Sequence, residues 1–388
     1  MTGNKLNLDH LKDTIQDANI NFLLGSGLSM PHLQTLGNIE VLLTELEGRT
    51  DISDARKKVL YVALLKRFYE VVILKNLEVL EGTGDSEAVL AHYSQFLQLV
   101  NSILLNRKTS IISKQVNVYT TNVDVYLEKA LDAVGLEYND GFSGRLSPIF
   151  SLSNFRKSSF KKSLHFDNTS EIPVFNLLKL HGSLTWEIRG NIEDSEIYFS
   201  PNLDLVRKLQ SADFSDIESA GEANDINALN SSIGNKRTTE SIRQFEELYL
   251  QLPIVNPTKD KFRMTLLNRN YYELLRMYAN GLEKENSVLF VMGFSFADEH
   301  IREVTLRAAD SNPTLTIFVF AYSSKAKEEI EERLDIEHVK NSNIKVIGPS
   351  VTPGEEGEES ADDFKYDLET INKMVFEKIF SSLNSKAS

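Results

Sequence analysis

Six short apolar runs punctuate the chain, at residues 20–24, 116–119, 174–180, 287–292, 315–321 and 344–347. Each is nearly continuous in Val, Ile, Leu, Phe and Tyr, the pattern of a strand covered on both faces rather than on one. Amphipathic helical spacing follows several of them, at 125–134, 299–308 and 326–334. Alternation of this kind predicts an α/β protein with a Rossmann-like, mostly parallel sheet between helices.

Two long stretches interrupt the frame. Residues 38–112 carry no strand pattern, and the helical spacing at 55–80 and 88–105 predicts a helical insertion or layer. Residues 190–285 are mixed; within them 211–239 is rich in Ser, Asn and Asp, the composition of a mobile polar insertion. Helical patterns resume at 240–250 and 266–282. The domain is expected to fill residues 1–350, followed by an acidic linker at 351–363 with six acids between 354 and 363. An amphipathic helix closes the chain at 364–388, its apolar residues Phe364, Leu368, Ile371, Val375 and Ile379 spaced by three or four. That spacing suits docking on its own domain or on another subunit.

Composition narrows the function. The 388 residues include 42 Lys and Arg against 56 Asp and Glu, a net charge of −14. Direct nucleic-acid binding needs clustered cations and is not expected of this chain. The run from Arg156 and Lys157 to Lys161 and Lys162 is a local exception, a solvated loop rather than a partner or nucleic-acid contact. There are no cysteines, which excludes disulfides, thiol catalysis and a Cys-based zinc module. Seven histidines show no metal-ligand spacing, so no metal is expected. No apolar stretch approaches the roughly 18–20 residues that cross a bilayer, and residues 1–5 carry no apolar signal region. No membrane association and a cytoplasmic location are the expectations.

Four short segments at strand ends carry the candidate chemistry, because open α/β sheets bind ligands beyond the carboxyl ends of their strands. Gly25-Ser26-Gly27-Leu28-Ser29 is a glycine turn, suited to close approach of a phosphate or to a plain strand-to-helix turn capped by Ser29. The dinucleotide fingerprint needs a glycine where Met30 stands. Thr120-Thr121-Asn122-Val123-Asp124 allows a capping-box start from Thr121 to Asp124, which leaves Asn122 without a role. His181-Gly182-Ser183 sets an imidazole beside a glycine, and a histidine titrates near neutrality. In Gly293-Phe294-Ser295-Phe296-Ala297-Asp298 the Ser295-x-x-Asp298 spacing again suits a cap, and Asp298 and His300 read as structural.

Taken in order, the four segments resemble the NAD-binding core of the sirtuin family. The glycine turn, the Thr121-Asn122-Val123-Asp124 segment, His181-Gly182 and Gly293-Phe294-Ser295 each look like one of its motifs. The chain departs from the family's deacylases in lacking four zinc-binding cysteines and in having Met30-Pro31-His32 after the glycine turn. It is more similar to the sirtuin-like proteins of bacterial anti-phage defence. Their segments look like Gly293 to His300 and Pro253 to Thr258 here.

That resemblance implies an NAD+ hydrolase acting by NAD depletion, a homo-oligomer, and a HerA-type ATPase or helicase as partner. It implies Asn122, Asp124 and His181 as catalytic: Asn122 on a ribose hydroxyl and the water, Asp124 on the carboxamide, His181 as general base. It implies Gly25, Ser26, Gly27 and Ser29 around the pyrophosphate, with Gly293 and Ser295 flanking the adenosine, and Thr121 as a further cofactor-binding residue. An ADP-ribosyltransferase uses the same residues, and a sensor or scaffold that binds NAD or ADP-ribose without turnover is the other alternative.

Overall fold

The computed structural model of the protein describes residues 8–107, 111–190, 196–234, 238–256, 269–349 and 365–384. The strands of the main sheet are β1 (Asn19–Leu24), β2 (Gln115–Thr120), β3 (Tyr138–Asn139), β4 (Val174–Lys179), β5 (Ser287–Met292), β6 (Thr316–Phe320) and β7 (Ile344–Ile347). Their order is β7-β6-β5-β1-β2-β4-β3, and every neighbouring pair is parallel. The Rossmann-like α/β expectation therefore holds, and with no cysteine in the chain there is no zinc ribbon. All six expected strands are present within a residue or two. The seventh, β3, is a two-residue edge strand too short to show a pattern.

The order matters because β5, β1, β2 and β4 are consecutive neighbours. The four candidate segments leave the sheet from their carboxyl ends, side by side. The chain passes from β1 to β2 on one side and returns to β5 on the other, the topological crevice where such sheets bind ligands.

Register across one half of the sheet is held by a row of amides, buried at Asn21 and Asn176 and half-buried at Asn117 and Asn139. Asn117 Nδ2 donates to Asn21 Oδ1 at 2.9 Å, Asn176 Nδ2 to Asn117 Oδ1 at 3.0 Å, and Asn139 Nδ2 to Asn176 Oδ1 at 3.0 Å. These residues are register partners on β1, β2, β4 and β3. A one-residue slip of any strand would leave buried amides unpaired and turn apolar neighbours to the wrong face.

After α1 (Leu8–Asp17), which precedes β1, a helical layer lies between β1 and β2. It comprises α2 (Ile39–Gly48), α3 (Asp54–Phe68), α4 (Asn76–Glu81) and α5 (Ser86–Leu105), with a π-turn at Tyr69–Ile73. The single helical pattern at 55–80 is thus two helices joined by that turn. By length and composition α5 is apolar enough to cross a membrane, which corrects the expectation that no such stretch exists. Its buried residues, among them Tyr93, Phe96, Leu97 and Val100, belong to the core beneath β1 and β5.

The described part of the polar stretch at 211–239 is seated on this layer. Phe214, Ile217, Ile226, Leu229 and Ile233 are buried, and Lys66 Nζ donates to the Phe214 carbonyl at 3.0 Å and the Ile217 carbonyl at 2.5 Å. Ile226, Leu229 and Ile233 are spaced by three and four along a seven-residue helix, Ile226–Ser232, and its C-cap, too short a pattern to stand out in so polar a stretch. The acidic linker, residues 257–268 and the end of the terminal helix after 384 lie outside the described residues.

The C-terminal helix docks on its own domain. It runs through Leu368–Ile371, a π-turn at Asn372–Phe376 and Glu377–Asn384. Leu368, Ile371, Val375, Phe376 and Ile379 are buried. Asn372 Nδ2 donates to the His92 carbonyl at 2.9 Å, and Lys12 Nζ to the Ser382 carbonyl at 2.7 Å. The Phe376 ring meets Phe96 at 5.4 Å, Phe22 at 5.9 Å and Phe290 at 6.0 Å. Phe376→Ala is expected to cost about 3–5 kcal/mol, as for other buried aromatics cut to alanine. Chemical denaturation checks it; a midpoint unchanged from wild type would mean that the tail is dispensable for the core.

Candidate active site

The carboxyl ends of β5, β1, β2 and β4 open onto one cavity of about 520 Å³, within the range of roughly 300–1,000 Å³ typical of ligand clefts. Nine of the ten sequence-predicted residues line it: Ser26, Gly27 and Ser29 from the first loop, Thr121, Asn122 and Asp124 from the second, His181 from the third, and Gly293 and Ser295 from the fourth. The tenth, Gly25, stands behind the lining. A Cβ on Gly25 would lie 2.3 Å from the Gly293 carbonyl oxygen, so the glycine lets two strand-end turns meet. The N–H groups of Gly25 and Gly27 donate to the carbonyls of Met292 (2.9 Å) and Gly293 (3.0 Å). The first loop is one 3₁₀ turn, Ser26–Ser29, rather than the start of an α-helix. Pro31 has no N–H to continue it.

Ser29 is not a helix cap. Its hydroxyl is buried and donates to Asp124 Oδ2 at 2.8 Å. Having one proton to give, it accepts from the Tyr93 hydroxyl at 3.0 Å. Burial and the nearby Asp124 charge push the Tyr93 phenol well above its usual range, so it stays a donor. Asp124 Oδ1 accepts from the Tyr126 N–H at 3.2 Å at the start of α6 (Tyr126–Val134), which replaces the capping box expected from Thr121. Thr120 Oγ1 accepts the Asn122 N–H at 3.0 Å and donates to the Leu24 carbonyl at 2.8 Å, tying the second loop to β1.

Asn122 is the unusual member. Its side chain is buried, and neither its amide nitrogen nor its oxygen has a hydrogen-bond partner. The Tyr93 hydroxyl lies near enough to feel the amide but outside hydrogen-bond geometry. Desolvating such a group without a partner costs about 1–3 kcal/mol. An amide left this way on a cavity wall is poised for a ligand.

His181 Nε2 lies 3.1 Å from Asp298 Oδ2. Asp298 also caps the helix at Glu299–Ser311, its Oδ1 accepting from the N–H groups of His300 (3.1 Å) and Ile301 (3.2 Å). The cap is therefore Asp298 itself, not Ser295. Sequence reasoning stopped at that cap and missed the second contact, because spacing along one loop says nothing about a histidine more than a hundred residues away. The loop is strained: Phe296 holds φ +57° while fully buried, a backbone state that costs about 1–3 kcal/mol. Behind His181, its carbonyl accepts the Val255 N–H at 2.8 Å, and Gly182 pairs with Ile254.

The far walls were not legible as site. Leu33, Leu36, Phe68 and Val72 form an apolar side contributed in part by the helical layer; Phe320, Tyr322, Ile330 and Tyr366 form another beside β6. The layer also grips the loops, with Lys75 Nζ on the His32 carbonyl at 3.0 Å and Asn76 Oδ1 accepting the Val125 N–H at 3.0 Å.

A model of the SIR2-like domain family matches residues 246–347. That stretch contains β5, β6, β7 and the loop bearing Gly293 and Asp298. No curated protein matches the chain. Over residues 246–347 the chain is similar to a SIR2-like domain, and the cavity at its strand ends is compatible with NAD-dependent activity. The loops bearing Gly25, Asn122 and His181 precede the matched residues.

Proposed function

We propose that the protein hydrolyses NAD+ at the bond between nicotinamide and ribose. The observation that carries this reading is the meeting, in one cavity, of an unpaired buried amide at Asn122 with an imidazole–carboxylate pair at His181 and Asp298. A binding pocket alone does not need an imidazole set 3.1 Å from a carboxylate beside such an amide.

In the reaction the C1′–N bond breaks and its electron pair returns to the pyridinium ring, so nicotinamide leaves neutral. Water oxygen bonds C1′, and its proton goes to His181. The leaving group needs no acid; the barrier falls through positioning of the water and stabilisation of an oxocarbenium-like ribose. With Nε2 facing Asp298, Nδ1 is the nitrogen that accepts the proton. Asn122 orients the ribose hydroxyl and the water, and Asp124, set by Ser29 and Tyr126, holds the carboxamide. Ser26, Gly27 and Ser29 lie along the pyrophosphate, with Gly293 and Ser295 toward the adenosine and Thr121 as a further contact to the cofactor. Gly25 acts behind them by letting the loops close.

An unrestrained NADase would exhaust its own cell, which supports an activity gated by assembly. The role that fits is anti-phage defence by NAD depletion, as a homo-oligomer with a HerA-type ATPase partner. Purified protein incubated with NAD+, alone and with the neighbouring ATPase, is expected to release nicotinamide and ADP-ribose in equal amounts. Nicotinamide without free ADP-ribose would replace hydrolysis by transfer. No nicotinamide in either arm would replace it by a sensor or scaffold.

A further inference from the structure

Beneath the cavity, a lysine is almost completely withdrawn from water. Lys179 is the last residue of β4, 3% exposed. An ammonium has three protons to donate and is costly to bury unless each finds an acceptor. Here all three do. Lys179 Nζ donates to the backbone carbonyl of Asp124 and to that of Asn122 at 3.3 Å, and pairs with Glu128 Oε2 at 3.1 Å. Glu128 is buried on α6, and its Oε1 accepts from Ser183 Oγ at 3.1 Å. Burial raises the Glu128 carboxyl above its ordinary range while Lys179 pulls it down.

The connectivity is specific. Asn122 and Asp124 stand on the second loop, while Ser183 is two residues beyond His181 on the third. One ammonium and one carboxylate, both buried, bind the two loops to each other. Among the described residues, the other ties between them are backbone bonds, Leu180 N–H to the Thr120 carbonyl at 2.8 Å and Leu184 N–H to the Val123 carbonyl at 3.1 Å. These fix the ends of the loops. Lys179 fixes the carbonyls of Asn122 and Asp124, two of the residues that line the cavity. A buried ion pair is weak as a source of stability, since apolar residues of similar volume do as well or better. Its retention under a site is explained by placement.

We infer that Lys179 is a positioning residue: with Glu128 it sets the distance between the Asn122–Asp124 loop and the His181 loop, and so the geometry in which ribose, carboxamide and base meet. This rests on the NAD-cleaving reading of the site. Displacement of a reacting group by about an ångström from a change outside the chemistry costs on the order of 10²-fold in rate.

The test uses the full chain and two variants. Lys179→Met leaves Glu128 buried and unpaired, so its melting temperature falls. Lys179→Met combined with Glu128→Leu removes both charges and restores the melting temperature. The expected result is that kcat for nicotinamide release stays about 10²-fold down in the double variant, while ADP-ribose, titrated calorimetrically, binds within about threefold of wild type, a difference of under 1 kcal/mol. Recovery of kcat together with the melting temperature would overturn the inference and leave Lys179 a stability element. If wild type binds NAD+ and releases no nicotinamide, the catalytic reading fails, and positioning is then read from binding. Loss of NAD+ affinity with ADP-ribose affinity retained in the double variant upholds it; equal affinities for both ligands overturn it.

Discussion

His181→Ala is expected to lower nicotinamide release by about 10²–10⁴-fold, the usual contribution of a positioned general base, with the fold intact. The ring is 15% exposed and touches Asp298 through one nitrogen, so its removal opens space at the cavity wall rather than in the core. Its backbone contacts, including the bond from Val255, remain. Asp298→Asn refines the prediction. Asparagine caps a helix as well as aspartate does, so the helix after it keeps its start. What is lost is the carboxylate that holds the imidazole and stabilises it once protonated. Its rate should fall between wild type and His181→Ala. Single-turnover measurement of nicotinamide from folded protein, checked by circular dichroism, decides the matter. Full activity in folded His181→Ala removes the residue from the mechanism. An inactive Asp298→Asn with a normal melting temperature makes the pair, and not the imidazole alone, the working unit.

The sheet was legible because a strand buried on both faces leaves a dense apolar signature, and six of seven strands had one. β3 had none: two residues, Tyr138 and Asn139, hold an edge. The four strand-end segments were legible as glycine, amide and histidine placed just after such strands, and the strand order then set them side by side. What did not show was anything requiring two distant segments at once. Asp298 looked like a helix cap and is one; its contact with His181 exists only after β4 and β5 take their places on either side of β2 and β1. Lys179 looked like an interruption of an apolar strand. Ser29 looked like a cap and instead orients Asp124. The apolar walls from Phe68, Val72 and Tyr366 lay in regions whose sequence carried only helical spacing. The tail's apolar stripe was visible, but not its partner, since an amphipathic face does not say whether it meets its own domain or another's.

Gly182→Ala is expected to have the largest effect on the folded site. Gly182 holds φ +81°, outside the regions a side chain tolerates well. That alone costs about 1–2 kcal/mol for an L-residue with a Cβ. The added Cβ would also lie 2.0 Å from the Pro253 carbonyl oxygen and 2.7 Å from the Tyr271 hydroxyl. The first of these is backbone, held on one side by the Tyr271 hydroxyl bond to the same carbonyl at 2.8 Å. It cannot swing aside as a flexible side chain would. Either the Pro253–Val255 segment lifts away or the His181 loop does, and overpacking of this kind adds about 1–3 kcal/mol. Both movements act on the site, because the His181 carbonyl accepts from Val255 and Val255 lines the cavity. The variant should therefore lose stability and nicotinamide release together, unlike His181→Ala, which loses release alone. A thermal melt beside the nicotinamide assay separates the two. An unchanged melting temperature in Gly182→Ala would mean that the turn has room the close approach of Pro253 denies, and that the glycine serves the ligand rather than the packing.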